Sequence, residues 1–184
     1  MNPRYQAQFA KPLVNQLLAI IQRDQQAALD VVNAGRPPGR DLKPFAGFHK
    51  EAAPIQNWPA LVLVAQEDAF DANADADLRT QTLRFFCAAA VSGTDPEWLA
   101  EDAMDYLRVL DMVLTSAPLG DFYEPLPLNH RTVPDGTTAG LDADVAKVQD
   151  LRVIRHDLGA LVARRGGALA RGPQIEFVID LEER

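Results

Sequence analysis

Residues 79–114, RTQTLRFFCAAAVSGTDPEWLAEDAMDYLRVLDMVL, decide how the chain folds. Their first thirteen positions alternate. Leu83, Phe85, Cys87, Ala89 and Val91 fall on one side, and Thr82, Arg84, Phe86, Ala88 and Ala90 on the other. A period of two with one apolar side predicts a half-buried β-strand. Ser92-Gly93-Thr94-Asp95-Pro96 then punctuates the chain. Asp95 suits a helix N-cap and Pro96 the first helical position, where a missing N–H costs nothing. Thr94 and Glu97 offer a competing capping-box register. The helix that follows has Trp98, Leu99, Met104, Leu107, Leu110, Val113 and Leu114 as its expected apolar stripe, with Ala103 and Tyr106 beside it. Glu101, Asp102, Asp105, Arg108 and Asp111 decorate the remainder. One strand face and one helix stripe must bury each other, which makes this stretch the expected centre of the core.

Outward from it, residues 11–33 predict a first long helix, with Pro12 in its opening turn and Gly35 and Pro37-Pro38-Gly39 ending it. Its middle, Gln22-Arg23-Asp24-Gln25-Gln26, is polar nearly all round, the mark of a helix projecting beyond its core or of a break. Residues 35–59 form a Pro- and Gly-rich connector whose aromatics Phe45, Phe48 and Trp58 are expected to tuck against the core or against a neighbouring subunit. Ala60–Gln66 predicts a strand buried on both faces, followed by an acidic loop over 67–77. In that loop Asp71, Asn73, Asp75 and Asp77 alternate as at the start of an EF-hand, but position six is Ala76 and position twelve is Thr82. The loop therefore lacks the required glycine and bidentate glutamate, and no metal is assigned.

Residues 117–144 form a long irregular loop with four prolines and three glycines, too long to be mere connection. Val145–Val162 reads as an imperfectly alternating strand in which Gly159 marks a bulge or bend. After RRGGALARGP, the segment Gln174–Glu182 is the cleanest strand, with Ile175, Phe177, Ile179 and Leu181 on one side. The order is helix, hairpin, helix, hairpin (α-β-β-α-β-β). The expected class is α+β: a mixed, mainly antiparallel sheet of about four main strands in two hairpins, packed with two long helices in one domain, 1–184.

Composition narrows the function. A chain of 184 residues that is 47% hydrophobic supports one well-buried domain. No run is long enough to span a membrane and no signal peptide opens the chain, so a soluble protein made in a cytoplasm is expected. The single cysteine, Cys87, excludes an internal disulfide and falls in the apolar register of its strand. The net charge of −8 is uneven: residues 1–50 carry +4 and the remainder −12. An acidic chain is a poor general nucleic-acid binder, while the asymmetry suits pairing with another copy. No G-x-S-x-G elbow, phosphate loop or metal-ligand spacing is present, and His49, His130 and His156 are far apart in sequence. Neither a catalytic residue nor a cofactor is assigned. The contact candidates are Arg164, Arg165 and Arg171, gathered in one loop of an acidic protein, and Asp71, Asp75 and Asp77 in the acidic loop.

Taken together, PALVLVAQEDAF (59–70), LRFFCAAAV (83–91), the D-P-E-W helix start (95–98) and DLRVIRHDLGALVARR with GPQIEFVIDLEE (150–165 and 172–183) resemble the tail-terminator, or tail-completion, proteins of tailed bacteriophages. The resemblance covers most of residues 10–183 and rests on the order of the elements. It implies a non-catalytic virion protein that assembles as a ring, commonly hexameric. That ring caps the tail tube and joins it to the head-side connector or neck, and genomic DNA passes through its lumen without specific binding. The connector 35–59 and the loop 117–144 go beyond a minimal version of that fold. They leave room for a different neck or tail component, and a non-catalytic α+β binding or regulatory module is the competing class.

Overall fold

The structure, a computed structural model, describes residues 10–50, 55–70, 79–116, 126–127 and 145–183. Its elements in chain order are α1 (Ala10–Asn33), β1 (Gly47–His49), β2 (Ala60–Phe70), β3 (Arg79–Gly93), α2 (Pro96–Ser116), β4 (Leu126–Pro127), β5 (Val145–Asp157), β6 (Val162–Ala163), a 3-10 turn at Arg165–Gly167, β7 (Leu169–Arg171) and β8 (Gln174–Glu183). The sheet order is β1-β2-β3-β8-β5-β4, with the short β6–β7 hairpin joined to the end of β3. Among the described residues only β1 runs parallel to its neighbour; the other pairings are antiparallel. The class is α+β, and β2, β3, β5 and β8 are its main strands.

The alternation of β3 fixes the layers. Leu83, Phe85, Cys87, Ala89 and Val91 are buried, and the register places Phe85 opposite Phe177 and Cys87 opposite Ile175. The two phenylalanine rings stack with centroids 5.4 Å apart and planes 15° apart, a cross-strand aromatic pair at the middle of the sheet. Leu61 and Leu63 from β2 extend this surface. Both helices cover it: Leu13, Leu17, Ile21 and Leu29 of α1 join Leu99, Val109, Leu110 and Val113 of α2 in a single core.

Asp95 is the N-cap of α2: its carboxylate accepts hydrogen bonds from the amides of Glu97 (2.9 Å) and Trp98 (3.2 Å). The expected stripe of α2 needs one correction. Met104 is exposed, while Ala103 and Tyr106, placed beside the stripe because one is small and one carries a hydroxyl, are buried, as is Val109, which the stripe omitted.

The connector is tied to the helices by polar groups. Gln25, only 7% exposed, accepts the Phe45 amide at 2.8 Å, so the polar middle of α1 is neither a projection nor a break. Asn33 and Leu42 exchange two hydrogen bonds, with the Leu42 amide donating at 2.8 Å and the Asn33 amide donating at 3.1 Å. The Tyr106 hydroxyl donates to the Lys43 carbonyl at 2.7 Å. Arg36, its side chain 7% exposed, donates to both Asp102 and Asp105. Phe45 then packs 5.3 Å from Tyr106 and 6.3 Å from Phe48, as expected of aromatics in such a segment. Trp58 is half-buried.

Three boundaries differ from expectation. β2 continues through Glu67–Phe70, so the first part of the acidic run is strand. β5 ends at Asp157 because Gly159 turns the chain there with φ +69°; a Cβ at this glycine would lie 2.3 Å from the Gly172 carbonyl oxygen. The segment after it is a small hairpin, β6 and β7, and not a plain loop. Among the described residues no helix is long and apolar enough to cross a membrane.

Candidate interaction surfaces

Among the described residues, the sheet has one face under the helices and one face that no helix covers. On the second face the even positions of β3 and β8 meet charged residues of β5. Register places Asp150 opposite Asp180, two like charges that would repel across the strands. Arg152 bridges them, 2.6 Å from Asp180 and 3.2 Å from Asp150, and Thr82 donates to Asp180 at 2.6 Å. Arg84 pairs with Glu176, and Arg155 with Asp157 at 2.7 Å. A shallow depression of about 310 Å³ lies among Gln66, Arg84, Phe86, Arg155, Asp157 and Glu176. Its two cations and two anions are mutually satisfied, which leaves no unbalanced charge for an ionic ligand.

The candidate contact residues divide. Arg164 stands over the Trp58 ring, 4.5 Å from its centroid, a cation–π contact that fixes the guanidinium from one side. Arg171 donates to the Gly159 carbonyl at 3.2 Å and is half-buried, so it secures the corner of the fold. Arg165 opens the 3-10 turn between β6 and β7. The structure therefore keeps the three arginines on one hairpin but commits two of them to internal contacts. Asp71, Asp75 and Asp77 lie outside the described residues, as do His130 and most of the loop 117–144.

A second depression, about 260 Å³, is lined by Asp41, Lys43, Trp58, Pro59, Asp102 and Tyr106, among others. Sequence reasoning missed it because its walls come from the connector, β3 and α2. Burial pushes the Tyr106 hydroxyl well above the ordinary phenol range, although the Lys43 amide donates to its oxygen at 3.2 Å and pulls the other way. Nearby, Arg40 stacks 3.6 Å from the centroid of Trp98, a pairing with no local sequence signal.

The remaining reactive side chains are placed as follows. Cys87 is fully buried, and burial pushes its thiol up to about 12. His156 lies 3.3 Å from Asp111 of α2; its sequence neighbour Asp157 points to the other face and pairs with Arg155. His49 sits on β1, half-buried. Among the described residues no group of three or more His, Cys, Asp or Glu side chains is placed to hold a metal. Comparison with protein-family models gives no match, and comparison with curated proteins gives none.

Proposed function

We propose that this protein is a structural subunit of a tailed-phage virion, a tail terminator that assembles as a ring, most simply a hexamer. In this reading the ring caps the tail tube, joins it to the head-side connector, and lets genomic DNA pass through its lumen. The protein itself catalyses nothing and resides in the neck of the virion. The observation that carries the reading is the arrangement of α1, β2–β3, α2 and β5–β8: two helices on one face of a single mainly antiparallel sheet whose other face is left to internally paired charges. That order is the one on which the resemblance to terminators rests. Uneven charge supports it as well, because subunits whose parts differ in sign join head to tail, and such contacts close into rings.

The test is the assembly state: light scattering after size exclusion, then negative-stain imaging of the same peak, with purified tail tubes added in a parallel sample. Closed rings with a channel of duplex width support the reading. A strict monomer that neither closes nor binds tubes ends it. The depression beside Trp58 favours a second reading, a monomeric α+β module that binds a small ligand, and a ligand-dependent rise in melting temperature without assembly would select it.

A further inference from the structure

Six large hydrophobic side chains among the described residues stand between 37% and 55% exposed. Four of them, Ile154, Leu158, Leu161 and Val162, fall within nine consecutive positions, where β5 turns into β6. The other two, Val31 and Met104, lie on α1 and α2. Isolated exposed apolar residues are ordinary, but four at one corner mark a contact surface.

The fold builds this corner. Ile154 is the extra residue of a bulge, since Val153 and Arg155 face consecutive residues of β8; bulges re-aim side chains in this way. Gly159 then bends the chain tightly against Gly172, with its amide held by Asp157 at 2.8 Å. Val162 pairs with Ala170, which sets the far side.

Charge suggests what covers the corner. Residues 154–171 carry four arginines against one aspartate, a net +3 in a chain of net −8. The helix α2 carries five carboxylates against Arg108; Arg36 bonds to Asp102 and Asp105 and His156 lies at Asp111, so exposed Glu97 and Glu101 give the surface around exposed Met104 its acidic sign. Each surface that leaves apolar side chains in water therefore has the sign that attracts the other.

We propose that the corner formed by Ile154, Leu158, Leu161 and Val162, flanked by Arg155 and Arg164, docks on the α2 face around Met104 of a second copy of this chain. The two surfaces lie on different elements, so copies joined head to tail by this contact form a ring, whereas two copies joined reciprocally close as a dimer. Its apolar centre supplies the burial, and the opposite charges set the orientation. Trp58 holds the Arg164 guanidinium by its face, which leaves the donors at its rim for a carboxylate. The contact deepens the ring reading and rests on it for the identity of the partner as a second copy.

Site-directed cross-linking tests this directly. Val162→Cys protein is mixed with Met104→Cys protein and treated with a short bismaleimide; native Cys87 is buried and stays silent. A Gln22→Cys protein, exposed elsewhere on α1, serves as control. Expected is a V162C–M104C product about tenfold above the V162C–Q22C product, and suppressed by high salt. Arg164→Glu should weaken self-association about tenfold and Glu101→Arg should restore it, with far-UV circular dichroism unchanged. Equal cross-linking to both sites, or no self-association from micromolar to millimolar protein, overturns the contact. Rings that form without the V162C–M104C product keep the ring reading and reject this interface. The cross-link confined to closed dimers keeps the interface and rejects the ring.

Discussion

Replacing Arg36 by methionine isolates what holds the connector to the helix layer. Methionine keeps the apolar stem and removes the guanidinium, so the loss is electrostatic. Arg36 bonds to Asp102 and Asp105 of α2 and, at 2.6 Å, to the Arg40 carbonyl. Burial by itself would lower its pKa, but the two carboxylates more than offset this and the net shift is upward. A hydrogen bond to a charged group contributes about 1.5–3 kcal/mol net. The carboxylate side chains are 33% and 28% exposed and regain water when the arginine leaves, so the low end of that range applies to each. The expected loss is about 3 kcal/mol, or a fall of about 6–12 °C in melting temperature for a domain of this size. Urea denaturation measures it, with an unchanged m-value showing that compactness is kept. Asp102→Asn and Asp105→Asn should each cost less, because Arg36 keeps its other partner. In the doubly substituted D102N/D105N background, Arg36→Met should cost clearly less than in the native background, because the ion pairing is already gone and only hydrogen bonds to uncharged acceptors remain. A loss below about 1 kcal/mol for Arg36→Met in the native background would refute the reasoning. It would leave Gln25, Asn33 and Tyr106 as the groups that dock the connector.

Asp95→Ala should cost about 1 kcal/mol in urea denaturation by removing both capping bonds of α2, while Asp95→Asn should keep most of it. Gly166→Ala, with open space around its Cβ, should cost about 1 kcal/mol for its left-handed conformation alone, and Gly159→Ala clearly more, because the added atom meets the Gly172 backbone. Native protein at pH 8 should not react with a thiol reagent until it is unfolded, since burial keeps Cys87 protonated. The raised thiol pKa stabilises the fold fully below the ordinary value of about 8.5, and that contribution is lost as pH rises towards about 12. Stability by urea denaturation should therefore fall by about 1.4 kcal/mol per pH unit above pH 9, with Tyr106 adding to the slope above its ordinary value of about 10.

Much of the architecture was legible where burial imposes a period. β3 shows its core face because every second residue meets the helices, and β8 does so for the same reason. The start of α2 was legible because a cap is a local event. β5 was harder: the bulges at Gln149 and Ile154 each shift the alternation by one, so its pattern looked imperfect and its end was misplaced beyond Gly159. The connector was illegible because its order comes from Gln25, Asn33 and Tyr106, residues 9 to 63 positions away from what they bind. The bare count of arginines in 164–171 overstated the loop as a free charge cluster. Trp58 and the Gly159 carbonyl that engage two of them are distant or backbone groups, which a residue pattern does not display.

The edges and faces of the sheet constrain how this chain could associate. Among the described residues, β1 covers β2 only at Ala60–Val62, and β4 covers β5 only at Val145–Ala146. A long open edge is a template for unwanted strand pairing. Here each edge is interrupted: β2 carries the extra residue Gln66, and β5 carries Gln149 and Ile154. Bulges twist and disrupt the ladder an incoming strand would need, so specific association falls to side chains. The corner at 154–162 supplies such side chains. The helix-free sheet face does not: Arg84, Arg152 and Arg155 are each committed to a carboxylate of the same face. In the proposed ring, that face would suit the lining of a channel for DNA. Among the described residues it sets Asp150, Asp157, Glu176 and Asp180 against three paired arginines, so it would offer phosphate a slight repulsion.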